Sequence, residues 1–488
     1  AQTPVSGLAA PIVTDGAFDD WPAGSAAVVD PSGDNEGGAI DFGALHLAND
    51  ADTLYLRFQV GAETFFQTQS DIHIYVDADN DPATGRSVGA LGAELLYITG
   101  ARDVVVYNTD GTEQATTTWA PFQLRQGPTV TSDEFEFAIP RNITYNGQTL
   151  LAGESVGVLL RDEPGSEVRD VVPDSGAAVY TFSTEAVPAL EPIPLGKTNA
   201  DDVRVVAYNV LRSGWLARPE DKPAFDRLFN AMDADIYLLS ELYDAAPTPD
   251  IESYFETEFG GDWHIARRGN DDSVVVSRWP ILTSKPLAGN IGALVDLPDD
   301  QYPTDMYVIS VHTPCCANDT GRQQEIDQIM AWIRDLQTDG GEETIPLGTP
   351  IVYAGDFNLV GLRQQITALV EGDIVDETTY GPDHAPDWDG TSATDIFSRV
   401  NAARERFTWY NPSSDFLPGR LDALYYTDSA VDVPRHYVLW TESMTDAALD
   451  AAGLEREDTT RASDHLPMVA DFAIPRVSLA EADQQTIY

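Results

Sequence analysis

Residues 203–211 read VRVVAYNVL, and the reading of this stretch decides the fold. Apart from Arg204 and Asn209 it is an apolar, valine-rich run, the pattern of a strand. A helix is predicted over 222–234, where Phe225, Leu228, Phe229 and Met232 share one face. The strand DIYLLSEL follows, then SVVVSR and MYVISVH. A second helix is predicted over 322–336, carrying Ile326, Ile329, Met330 and Ile333, and beyond it come IVYAGDFN, RLDALYY and PMVADF. Apolar strands alternating with amphipathic helices predict an α/β sandwich. Most of these strands end on a polar residue: Asn209, Glu241, His312, Asp356 with Asn358, and Asp464 with His465 just before the last. A core strand has no need of carboxylates and imidazoles at one end, whereas a catalytic site does.

Outward from this region the chain changes character. Residues 1–185 read as all-β, with short apolar runs at 54–60, 72–76, 95–98, 104–107, 134–139 and 156–160 separated by Gly, Asn and Asp clusters. That is the pattern of a β-sandwich domain. The stretch AVPALEPIPLGKTN at 186–199 is proline-rich without strand or helix period, so a linker is predicted over 186–200. The α/β domain then spans 201–476, and 477–488 is a tail. Two domains also suit a length of 488 residues.

Composition narrows the function classes. With 43% hydrophobic residues the chain is globular, and no apolar run approaches the roughly 18 residues of a membrane span. It opens on Ala1-Gln2-Thr3-Pro4 with neither a basic nor an apolar leader. A secreted protein whose signal peptide has been removed is expected, although a cut within a longer chain would look the same. There are 28 basic residues against 80 acidic ones, a net charge of −52, and lysine occurs only at 197, 222 and 285. Adaptation to salt and adaptation to calcium or a cationic partner both produce such a surface. Either way it disfavours nucleic acid as partner, since binding a polyphosphate rests on basic patches. The two cysteines, Cys315 and Cys316, are adjacent. Their Cα atoms, about 3.8 Å apart, fall short of the usual disulfide span. A vicinal disulfide closed as a strained ring is expected in an oxidising compartment, and two reduced buried thiols are the alternative.

The motifs AYNV, SEL, SVHTP, GDFN, RLD and SDHLP, in this order over residues 201–474, resemble the signature of the endonuclease/exonuclease/phosphatase superfamily. Its members include pancreatic-type deoxyribonucleases, abasic-site endonucleases, inositol polyphosphate phosphatases and neutral sphingomyelinases. The resemblance implies a four-layered αββα sandwich and metal-dependent hydrolysis of phosphate esters. It implies that Asn209, through its amide oxygen, Glu241 and Asp464 hold Mg2+ or another divalent cation such as Mn2+ or Ca2+. Asp356 would orient or deprotonate the attacking water, and Asn358 would donate to a phosphoryl oxygen. His465 would contact the phosphate with Asp422 fixing its tautomer, and His312 would be a general acid for the leaving oxygen.

Two positions depart from the family pattern: Ser240 stands where Gln is usual, and no arginine follows Glu241 as it does in pancreatic-type deoxyribonucleases. Arg268 and Asn270 lie where relatives often place phosphate contacts, or else on a solvated loop before a strand; Arg322, in a helix opening that resembles the sphingomyelinase and inositol-phosphatase side of the superfamily, reads either as a phosphate contact or as a helix-surface arginine. The insert at 379–395, with His384 and Trp388, reads either as a substrate-facing wall or second cation site, or as a surface loop. The first domain resembles carbohydrate-binding-module-like β-sandwiches through DGAFDDW and YVDADNDPATG. In the latter, Asp77, Asp79 and Asp81 alternate as in calcium loops, with Glu94 able to complete a site. The expected function is a secreted phosphodiesterase or phosphatase acting on small or lipid-derived esters by in-line attack of water. An extracellular nuclease is the alternative, and a non-catalytic binding protein stands third.

Overall fold

The computed structural model describes residues 2–474, so the tail at 477–488 lies outside the described residues. Two units divide the chain. One takes residues up to Leu190 together with Asn411–Gly419, and the other takes Glu191–Tyr410 and resumes at Arg420.

The first unit is built from strands, and each of the six apolar runs singled out above lies within one. An eight-stranded and a five-stranded sheet make up its main body. They meet through aromatic side chains: Tyr97 of the larger sheet stacks on Phe137 of the smaller at 5.0 Å, and Phe66, in the turn after the strand Thr53–Thr64, packs against Tyr97 at 6.3 Å and Phe135 at 4.8 Å. Alternation along each strand sends these rings inward, which is how a two-sheet core closes.

The second unit stacks two six-stranded sheets between helices. The first sheet runs His264–Ala266, Val274–Ser277, Ile236–Ser240, Val203–Asn209, Met468–Ala473, Asp432–Val438. The second runs Ile281–Leu287, Asn290–Val295, Met306–His312, Ile351–Asp356, Asp422–Tyr426, Thr394–Asp395. The strand Val203–Asn209 shows why the layers form. Val203, Val205 and Ala207 enter the core shared with Val308, Val352 and Leu424 of the facing sheet. Val206 and Tyr208 point the other way, into Phe225, Leu228 and Phe229 of the helix Lys222–Met232. A strand buried on both faces has to be apolar at every position, which explains its near-unbroken run. Helix Asp319–Leu336 covers the second sheet and places the Trp332 indole nitrogen 2.8 Å from the Tyr307 hydroxyl. It starts three residues before the expected point because the Asn318 side chain caps it, accepting from Gly321 N at 3.1 Å.

The proline-rich stretch is not a free linker along its whole length. From Glu191 it belongs to the second unit. Ile193 N donates to Asn401 O at 2.8 Å, Lys197 pairs with Asp235 at 2.6 Å, and the Leu195 carbonyl accepts from Arg204 at 2.7 Å and from Tyr437 at 3.0 Å. Arg204, buried in the middle of its strand, also grips Asp471 with two bonds of 2.6 and 3.0 Å. The segment has no period because it is a strap held at separate points, with prolines between them. No helix among the described residues is long and apolar enough to cross a membrane.

Candidate active site

Strand direction and register gather the polar residues. Val203–Asn209 and Ile236–Ser240 run parallel with Asn209 opposite Ser240, so Asn209 and Glu241 leave the first sheet side by side. Met306–His312 and Ile351–Asp356 run parallel with His312 opposite Asp356. Asp422 opens the antiparallel neighbour, opposite Asp356. One edge of the double layer thus collects the ends of both sheets.

Asp356 lies at the centre. Its Oδ2 accepts from Asn209 Nδ2 at 3.0 Å, and the same nitrogen donates to Glu241 Oε1 at 3.1 Å, which joins the two sheets. Two imidazoles flank that oxygen, His312 Nε2 at 3.6 Å and His465 Nε2 at 3.5 Å. Each imidazole has its own carboxylate behind it: Asp272 Oδ2 lies 2.5 Å from His312 Nδ1, and Asp422 Oδ2 lies 2.8 Å from His465 Nδ1. Asp356 Oδ1 accepts from Asn358 N at 2.9 Å, while Asn358 Nδ2 donates to Thr313 O at 2.9 Å with one of its two hydrogens.

Electrostatics favour charged imidazoles. Burial opposes the charge on His312, but the bond to Asp272 and the charges of Asp356, Asp272 and Glu241 outweigh it and push its pKa up to about 9. Burial likewise opposes the charge on His465, and Asp422, Asp356 and Asp464 lift it to about 10. Backbone strain is concentrated in the same place. Glu241 (φ 61°), Asn358 (φ 47°) and Cys316 (φ 64°) all adopt the left-handed conformation, at about 1–2 kcal/mol each for a residue with a Cβ. The turn that follows Asn209 is left-handed as well, and it delivers Arg212 N to Glu241 Oε2 at 2.9 Å.

Not every expected residue takes its expected part. Asn209 turns its nitrogen to the carboxylates, because Leu211 N claims its oxygen at 3.0 Å. Asp464 Oδ2 accepts from the Trp409 indole at 3.2 Å. At this edge the three residues whose ligand atoms all lie within 4.8 Å of one another are Asp356, Asp422 and His465. Glu241 Oε1 and Asp356 Oδ2 nevertheless meet at the Asn209 amide, and two carboxylate oxygens at one spot are donors that fit a divalent cation.

Arg322 is no phosphate ligand. It is fully buried and its guanidinium is committed to Gln365 (2.9 Å), Pro314 O (2.7 Å), Cys316 O (3.2 Å) and Asp319 (2.7 Å), bracing the loop after His312. Arg268 and Asn270 are exposed and engaged by Asp271 and Asp244. Cys315 and Cys316 are free, exposed thiols, so the expected ring is not formed. Neighbouring residues are too close for ordinary disulfide geometry, and the chain turns here without it. The insert is no substrate wall. Trp388 bonds Thr349 O at 2.8 Å and His384 bonds Gln337 at 2.7 Å. Thr349 precedes the strand that ends at Asp356, which sets Trp388 roughly 20 Å, about a strand's length, from the site, while the end of the insert, Thr394–Asp395, pairs with Tyr426 and Tyr425 of the second sheet. In the first unit, ligand oxygens of Asp77, Asp79 and Glu94 come within 4.8 Å of one another. Asp81 is not in that group, and its carboxylate accepts from Ala83 N at 3.0 Å.

Asp272 escaped the sequence reading. In RRGNDDSVVV nothing separates it from Asp271, and only the register of Val274–Ser277 turns one of the two toward His312.

A family model for the endonuclease/exonuclease/phosphatase family matches residues 206–465, over half of the chain. A search of curated proteins found no match. Similar solved structures include an endonuclease/exonuclease/phosphatase from Bacteroides vulgatus, at 15% identity over 56% of this chain and 99% of that one, with a TM-score of 0.37. The human Nocturnin catalytic domain with bound sulfate anion is similar at 13% identity over 56% and 95%, with a TM-score of 0.35. D. rerio TDP2 complexed with single strand DNA product is similar at 14% identity over 56% and 99%, with a TM-score of 0.36.

Proposed function

The chain belongs to the endonuclease/exonuclease/phosphatase family, and from that premise we propose that it is a secreted hydrolase of small or lipid-derived phosphate esters, working by in-line attack of water. The observation that carries this reading is the arrangement around Asp356: one carboxylate oxygen between two imidazoles, each backed by a carboxylate of its own. Phosphoryl transfer needs a group to orient or deprotonate water on one side and a proton for the leaving oxygen on the other. Asp356 serves the water. His312, held protonated, serves the leaving oxygen, with Asp272 setting its ring. His465 places its positive charge against the phosphoryl oxygens, with Asp422 behind it, and the remaining amide hydrogen of Asn358 can join it there. A divalent cation, held by the Glu241 and Asp356 oxygens that meet at the Asn209 amide, would neutralise charge on the phosphate. A second such cation, in the first unit, would be held by Asp77, Asp79 and Glu94.

The preference for small esters rests on what surrounds the site. Arg322 is locked inside the fold, Arg268 is paired with Asp271, and no arginine follows Glu241. With a net charge of −52, long polyanions are repelled rather than tracked. The test is a paired assay in one buffer with Mg2+: p-nitrophenyl phosphate mono- and diesters against supercoiled plasmid. Release of p-nitrophenol with intact plasmid is expected. Rapid nicking of plasmid with negligible ester turnover would replace this reading with a nuclease.

A further inference from the structure

Three carboxylates outside the catalytic unit converge on one point. Asp30 directly follows the strand Ala26–Val29 of the five-stranded sheet, and its N donates to Gly43 O at 3.1 Å. Asp34 lies in the loop beyond it. Asp174 comes from the other sheet, two residues past the strand Asp170–Val172. One ligand oxygen from each lies within 4.8 Å of the other two.

Asp30 is what makes this more than an acidic surface. It is only 5% exposed, and neither of its carboxylate oxygens has a hydrogen-bond partner. Among the described residues no arginine, lysine or histidine forms an ion pair with Asp30, Asp34 or Asp174. The nearest cation in sequence, Arg169, pairs with Glu167 at 3.0 Å. Two further carboxylates add to the negative field but face elsewhere. Asp170 accepts from Phe42 N at 2.6 Å and Val171 N at 2.8 Å, and Asp41 accepts from Gly33 N at 3.0 Å. A buried carboxylate with no donor and no counter-charge is among the costliest groups a fold can contain. Protonation would remove the charge but would still leave its oxygens without partners.

We propose that Asp30, Asp34 and Asp174 form a calcium site that clips the two sheets of the first unit together. Calcium takes oxygen ligands at about 2.3–2.6 Å, so two oxygens on one ion are separated by at most roughly 5 Å, and all three pairs meet that limit. Magnesium requires shorter bonds and a stricter octahedron, which one buried aspartate and two exposed ones from separate loops suit less well. Two loops from different sheets are joined by the ion, so its role is to hold the sandwich shut rather than to do chemistry.

The test uses the full chain, stripped with chelator and dialysed against graded Ca2+, with bound metal counted directly. Asp30→Asn should bind one calcium fewer per chain than wild type, and should lose part of the calcium-dependent rise in melting temperature. Ester hydrolysis in Mg2+ should be unchanged. Asp174→Asn is the companion, because an exposed position tolerates the change whatever happens at Asp30; it should weaken binding at one site by at least tenfold. The other acidic groups of the chain are intact in both variants, so loss of a single site identifies this one. Wild-type calcium number and affinity in the folded variants would overturn the proposal, as would wild-type behaviour of Asp174→Asn if Asp30→Asn fails to fold.

Discussion

In the proposed mechanism, proton delivery turns on His312 and Asp272. A pKa of about 9 keeps His312 protonated at neutral pH, and an acid works only in its protonated form. The rate should therefore hold through neutrality and fall as pH rises through about 9. Asp272→Asn removes a group that raises that pKa, so the alkaline limb should move to lower pH, and turnover near pH 8 should fall by about 10–100-fold. A profile that keeps its alkaline limb in Asp272→Asn would show that the carboxylate does not set the acid. The contrast between the two histidine partners shows what a sequence discloses. Asp422 sits in a recognisable RLD and was legible. Asp272 sits in a run of polar loop residues and was not, because the decisive fact is which of two adjacent aspartates the next strand turns inward. Asn209 shows the same limit from the other side: its position was legible, but which end of its amide faces the carboxylates depends on the Leu211 N–H.

At the scale of elements, strands were read best and connections least well. A strand buried on both faces has to be apolar, so VRVVAYNVL, DIYLLSEL and IVYAGDFN announce themselves. The strap from Glu191 does not, since it is held by single bonds at scattered points. Its anchor is the buried Arg204–Asp471 pair. Asp471→Asn leaves a buried guanidinium short of its counter-charge, and should lower stability by about 3–5 kcal/mol in chemical denaturation. A change under about 1 kcal/mol would mean that the pair is dispensable. The loop after His312 was also misjudged. It is braced by Arg322 from within the fold rather than by a disulfide ring. The bond to Cys316 and burial push the Cys315 thiol up to about 11, so little thiolate exists at neutral pH. Thiol titration of unreduced, unfolded protein should count two free thiols per chain, and a count of zero would restore the ring.

For the molecule as a whole, a chain of alternating strands and helices preceded by a strand-only region was legible as an α/β sandwich following a β-sandwich, and the resemblance of its motifs implied the four αββα layers. The ordered polar strand ends pointed to the catalytic edge before any geometry was known. Long-range pairing was not legible: the convergence of Asp30 with Asp174, or the bond of Trp388 to Thr349 at the far end of the strand that carries Asp356, depends on contacts between residues distant in sequence. Cation-dependent hydrolysis of a phosphate ester at the Asp356 edge can be checked by one kinetic comparison. Wild type and Glu241→Ala, both stripped with chelator, are assayed for p-nitrophenol release from a p-nitrophenyl diester before and after Mg2+ is restored. No turnover is expected without the cation, with full recovery in wild type and a rate at least about 10²-fold lower in a folded Glu241→Ala at saturating cation. Turnover indifferent to the chelator, or a Glu241→Ala rate within about threefold of wild type, would contradict it.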